Sequence, residues 1–174
     1  MDPEWVLVGG SYPGALVAWF KHVYPDSVKA VWSSSGVIHP IANFTDFDLD
    51  IYEASMLSGQ YCTQDIQTVF QTVDDIYENR PMSQKIQLFA QFNNTNYQMK
   101  QGDFQFFIAD IFTMDIQYGH RTELCDMLKV AMLHDEYLMF VHVSWYAHDK
   151  GVKAEDYDSL HMRNTTIDFN KNVR

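Results

Sequence analysis

The sequence predicts an α/β fold in two parts: a short parallel strand–helix–strand unit, followed by a mainly α-helical domain. Three observations carry this. Trp5, Val6, Leu7 and Val8 form an apolar run too short for a helix, which enters Gly9 and Gly10 directly. A helix-forming stretch opens behind them, and a second β-type run follows at 28–32. From about residue 44 to about residue 150 the hydrophobic spacing is helical instead.

The first strand is placed at 5–8 and its helix at 13–23, joined through Gly9-Gly10-Ser11-Tyr12-Pro13-Gly14. A strand that turns sharply through a serine into a helix reads as a nucleophile elbow. The turn forces the serine into a strained backbone conformation that only small neighbours permit, so Gly9 and Gly14 are read as the points where strand and helix come closest. The Ser11 hydroxyl then points outward above the strand end. The N–H of Tyr12, beside it at the start of the helix, is the expected oxyanion donor. The usual G-x-S-x-G spacing would put glycine where Pro13 stands, and the chain supplies Gly14 one place later. Pro13 suits the first helical turn, where its fixed φ is helical and its missing N–H has no intrahelical partner. A plain Gly-Ser-Pro-Gly turn is the alternative for those letters; the flanking strand and helix favour the elbow.

Tyr24-Pro25-Asp26 ends the helix, because a residue before proline avoids α geometry. The strand at 28–32 is joined to the first by a crossover of ordinary length, so the two are expected to be parallel. Ser33-Ser34-Ser35-Gly36 falls past that strand's end, on the side where ligands usually bind, and reads as a polar strand end rather than a pocket lining. Ile66, Val69, Phe70, Val73, Ile76 and Tyr77 share one helical face, with Asp65, Gln67, Gln71 and Asp75 opposite. Asn79-Arg80-Pro81 breaks this helix, a shorter one covers about 83–92, and an Asn-rich loop follows at 93–96. Asp103 is read as the N-cap of a helix striped by Phe104, Phe107, Ile108, Ile111 and Phe112. Gly119 closes it, Thr122 is read as the next cap, a last helix covers about 135–149, and the remainder is polar loop with a short helical turn. The organisation expected is therefore a β–α–β core fragment at 1–43, a helical domain at 44–150 and a polar loop at 151–174.

Composition narrows the partners. Twelve Lys and Arg against 23 Asp and Glu give a formal charge of −11 with no basic stripe, which disfavours nucleic acid and anionic membranes. No run of 18 apolar residues and no signal-peptide pattern are found. Cys62 and Cys125 are spaced outside zinc patterns, no H-E-x-x-H occurs, and adjacent pairs such as His134-Asp135 point different ways on a helix; neither a metal nor a cofactor is expected. The two cysteines read either as one disulfide, in an oxidising compartment, or as two buried thiols. Asn43, Asn93 and Asn164 each begin an N-x-S/T sequon, to be glycosylated if the protein enters the secretory route. Of the seven histidines, at 22, 39, 120, 134, 142, 148 and 161, none stands in the terminal strand–loop context that a catalytic base requires.

The elbow residues, with Ala18-Trp19-Phe20, Tyr24-Pro25 and Ser33-Ser34-Ser35-Gly36-Val37, resemble the serine peptidase family of lysosomal Pro-Xaa carboxypeptidase, dipeptidyl peptidase II and thymus-specific serine protease. Tyr118-Gly119-His120-Arg121-Thr122-Glu123-Leu124-Cys125-Asp126 and Asn164-Thr165-Thr166-Ile167-Asp168-Phe169-Asn170 are similar to later parts of that family. The resemblance implies an α/β-hydrolase fragment whose helical insertion is a cap domain clamped by a disulfide, with Ser11 as nucleophile, Tyr12 in the oxyanion hole, and Gly9, Gly10, Pro13 and Gly14 shaping the elbow. It implies an exopeptidase acting on peptides near proline through an acyl-enzyme, lysosomal, vacuolar or secreted, with a homodimer of the full-length parent to be tested. The acid and base of the triad are expected beyond Arg174, which leaves this chain inactive alone. Two other readings stand beside it: an α/β-hydrolase esterase, and a non-catalytic product whose helical domain is a binding module.

Overall fold

The computed structural model describes residues 4–160. The chain divides into two compact units, Met1–Thr45 and Asp46–Arg174.

The first unit contains strand β1 (Val6–Gly10), helix α1 (Tyr12–Val23) and strand β2 (Ala30–Ser34). The strands run parallel, Val6 opposite Ala30 and Gly10 opposite Ser34. A bond from the Lys29 N–H to the Trp5 carbonyl, 2.8 Å, lies just outside the ladder. Both strands reach two residues further than the sequence suggests, so Ser33 and Ser34 pair with Gly9 and Gly10 instead of lying beyond the strand. The reason is that backbone groups build a ladder, whereas the apolar run marks only where side chains are buried. Helix α1 packs on both strands and buries Gly14 and Ala15. Leu7 and Val31 are half-buried, while Val6, Val8 and Trp32 on the opposite sheet face are 57%, 70% and 68% exposed. Parallel sheets are ordinarily covered on both faces, and this unit covers one. The Lys21 ammonium donates to the carbonyls of Pro25 and Val28 and ties down the connection between α1 and β2.

The second unit is helical: α2 (Asp46–Met56), α3 (Gln60–Glu78), α4 (Met82–Gln91), α5 (Gln101–Gln117), α6 (Arg121–Ala131) and α7 (Glu136–Asp149), then a 3₁₀ turn at Ala154–Tyr157. Its core takes Val69, Val73 and Ile76 from α3, Phe104, Phe107, Ile108 and Ile111 from α5, Leu124 and Leu128 from α6, and Phe140 and Val143 from α7. At the centre Phe104 packs on Phe89 at 5.1 Å and edge-on to Phe92 at 5.4 Å between ring centroids. Such offset aromatic pairs add roughly 0.5–1.5 kcal/mol each beyond the area they bury. The Cys62–Cys125 disulfide joins α3 to α6 across 63 residues, and a loop of that length reduces the unfolded chain's entropy by about 4 kcal/mol. Arg80, in the break between α3 and α4, donates to Asp75 and to Glu136 at the head of α7, each at 2.6 Å. Side-chain bonds from Asn79 and then Arg80 hold the Asp75 carboxyl below its ordinary pKa.

Two expected caps need correction. Helix α5 starts at Gln101 with Lys100 as its N-cap. Asp103 therefore lies inside the first turn, and its carboxylate accepts from the Ser159 N–H and hydroxyl, at 3.1 and 2.7 Å, pinning the chain beyond the 3₁₀ turn. Thr122 does not cap α6, which begins at Arg121 after His120. The stretch from 151 has the short helical turn expected and is also anchored: Ala154 is buried and Val152 and Tyr157 pack on the core, while the Tyr157 hydroxyl donates to the Asp110 carboxylate. Three apolar side chains scattered among polar ones were enough to anchor it. Residues 161–174, with Asn164 and the last of the similar blocks, lie outside the described residues.

Candidate active site

Ser11 stands between β1 and α1 with φ +57° and ψ −126°. A side chain at positive φ clashes with its own backbone, at a cost on the order of 1–3 kcal/mol that the surroundings must hold in place. They hold it by close packing and by hydrogen bonds. The Ser11 N–H donates to the Ser34 carbonyl at 3.0 Å, and its own carbonyl accepts from Ala15 at 3.2 Å. A Cβ built on Gly9 would stand 2.2 Å from the Pro13 carbonyl oxygen, and one on Gly14 would stand 2.8 Å from the Ser34 oxygen. At Gly10 the nearest atom would be 3.9 Å away, so the turn itself leaves room there.

Gly36 completes the packing, because its Cβ would meet the Ser33 Oγ at 2.5 Å and the Gly14 carbonyl carbon at 2.9 Å. The sequence placed Gly36 only at a polar strand end, without this packing role. The signal was a glycine directly behind a serine run, where Ser35 itself takes φ +49°. Trp19 and Phe20, further along α1, are 36% and 38% exposed. Gly14 and Ala15 are the buried residues of α1, and Phe20 meets the Tyr24 ring at 5.1 Å.

Ser11 and Tyr12 are both exposed, and Pro13 lies in the first turn of α1. The Tyr12 N–H is at the first helical position and has no carbonyl one turn back to bond, so it is a donor directed to the end of the helix. A hydroxyl on a strained turn beside free helix-terminal N–H groups is an arrangement that can attack a carbonyl and stabilise the oxyanion formed. Attack also needs a base. Among the described residues no side chain hydrogen-bonds the Ser11 hydroxyl. His22 lies in the last turn of α1, roughly 16 Å along the helix axis. His134 and His142 belong to the helical unit and stack on each other at 5.4 Å. Also among the described residues, no group of three His, Cys, Asp or Glu is arranged to hold a metal, and no helix is long and apolar enough to cross a membrane.

Strand, strained serine and closely packed helix together have the strand–turn–helix geometry of a nucleophile elbow. The family described as serine carboxypeptidase S28 matches residues 1–147. Probable serine protease EDA2 of Arabidopsis thaliana is 29% identical over 171 residues, which is 95% of this chain and 33% of that protein. Serine protease vicPb of Bipolaris victoriae is 26% identical over 88 residues, 51% of this chain and 16% of that protein. The chain belongs to the S28 serine carboxypeptidase family, a family of serine-type peptidases. It spans about a third of the length of EDA2 and less of vicPb. No solved structure gives a significant match to it.

Proposed function

We propose that the whole protein of which this chain is a part is a serine exopeptidase of α/β-hydrolase type, cutting peptides next to proline. Ser11 Oγ attacks the scissile carbonyl carbon as a histidine outside the described residues takes its proton. The carbonyl oxygen becomes an oxyanion that accepts from the Tyr12 N–H. Collapse breaks the C–N bond, the histidine gives its proton to the leaving amine, and water releases the acyl group from Ser11 by the same steps. The helical unit serves as the cap domain, and the protein works in a lysosome or vacuole, or is secreted. One observation supports this reading above all: the positive φ of Ser11, a costly conformation that the packing around Gly9 and Gly14 holds in place.

The test is hydrolysis by the full-length protein of two peptide sets, one with proline second from a free amino end and one with proline second from a free carboxyl end. Turnover of one set, abolished in Ser11→Ala and absent when the chain end is blocked, is the expected result. Equal cleavage of end-blocked peptides would contradict the exopeptidase assignment.

A further inference from the structure

We infer that Asn93 carries an N-linked glycan whose first sugars lie in the cleft beside it. This rests on a different surface from the elbow and is independent of the peptidase reading. Asn93 follows α4 at φ +52°, and the bonds Asn93 N–H to Ala90 O and Asn94 N–H to Phe89 O, 3.2 and 3.0 Å, close the helix as a Schellman cap. That position needs only a residue tolerant of left-handed geometry, which glycine meets best and asparagine next. The cap uses the Asn93 backbone and leaves its amide side chain exposed at the end of the helix.

The neighbouring asparagines are engaged. Asn94 is buried, accepting from the Asn96 N–H and donating to Met99 Sδ. Asn96 accepts from the Gln98 N–H and donates to the Asp158 carboxylate. So the one amide displayed is the one the sequon Asn93-Asn94-Thr95 selects, and Thr95 is exposed two residues on. A disulfide between α3 and α6 is a bond of oxidising compartments, where this modification is made. Asn93 also lines a cleft of about 660 Å³ with Phe92, Phe107, Ser144, Lys153 and Asp158. That volume is within the range of small-molecule sites, and polar side chains, among them Ser144, Lys153 and Asp158, stand in the wall where sugar hydroxyls can hydrogen-bond. Asn43 is exposed too, but it does not line this cleft. In the transfer, Asn93 Nδ2 bonds to the anomeric carbon of a lipid pyrophosphate-linked oligosaccharide. The bond from that carbon to the pyrophosphate breaks, the pyrophosphate leaves with the electron pair, and the amide loses one proton.

The test is to secrete the full-length protein from eukaryotic cells and release its glycans with an amidase in heavy-oxygen water. A heavy-oxygen aspartate at 93 is expected in the native protein and in Thr95→Ser, and none in Thr95→Ala. Asn93→Gly, which keeps the helix cap, should fold, secrete and lack the same glycan. Recovery of residue 93 wholly unmodified from native, disulfide-bonded protein would overturn the site. Acetylation of Lys153 should be several-fold slower in the native protein than in Thr95→Ala, while Lys29 reacts alike in both. Equal rates at Lys153 would overturn the seating of the sugar in the cleft.

Discussion

Replacing single glycines with alanine should grade the damage to the elbow in an order that the packing dictates. In Gly9→Ala the new methyl would meet the Pro13 carbonyl oxygen at 2.2 Å. Ordinary contact begins near 3.5 Å, so β1 and the first turn of α1 must part by about 1.3 Å. That displacement falls between the strand that positions Ser11 and the helix whose N–H groups would receive the oxyanion. A misplacement of about 1 Å at reacting groups costs on the order of 10²-fold in rate, or roughly 2.7 kcal/mol of transition-state stabilisation. Gly14→Ala, with its nearest contact at 2.8 Å, needs a smaller shift and should lose less. Gly10→Ala meets nothing within 3.9 Å and should fold and react nearly as the native protein does. The assay is the second-order rate of Ser11 labelling by a fluorophosphonate in the full-length protein, with circular dichroism to confirm folding. A Gly9→Ala rate within twofold of native, or a Gly10→Ala loss as large as that of Gly9→Ala, would refute the reasoning.

Other outcomes follow from the same structure. Cys62→Ala/Cys125→Ala removes a 63-residue link and should cost about 4 kcal/mol, a fall in the helical melting temperature of roughly 15 °C; a fall of only a few degrees would contradict it. Ser11→Gly should be about 1 kcal/mol more stable than Ser11→Ala in urea unfolding, because glycine adopts positive φ without strain, and both should be inert to the fluorophosphonate. Asp75 has its pKa lowered in the folded state, so its contribution is present above the ordinary carboxylate range and is lost as pH falls through the folded value. Asp75→Asn should therefore lower the urea midpoint near pH 6, and the difference should shrink as the pH is taken down through and below the ordinary carboxylate range; an equal loss at neutral and strongly acid pH would show that the charge is not what matters.

The β–α–β unit was legible because a short apolar run, paired glycines and a helix-forming stretch leave few other ways to fold. Gly9 and Gly14 could be singled out because a strand entering a helix through one residue must bring two backbones together there. Gly36 could not, since its crowding comes from Ser33 and Gly14, and the latter is far from it in sequence. Helix α2 falls inside the stretch read as helical from about residue 44, but its bounds were not legible because Asp46, Asp48, Asp50 and Glu53 dilute the apolar period. Asp103 misled because a good capping residue near a helix start can serve a distant partner, here Ser159. The strained φ of Ser11 was foreseeable from its neighbours. Its base was not, because nothing among the described residues bonds that hydroxyl.

The claim that Ser11 is an activated nucleophile is tested most directly by exposing the full-length protein to a fluorophosphonate and mapping the adduct by mass spectrometry. The account predicts a single adduct on Ser11, lost in Ser11→Ala and lost again when the protein is denatured first. Labelling that leaves Ser11 untouched, or that persists after denaturation, would contradict it.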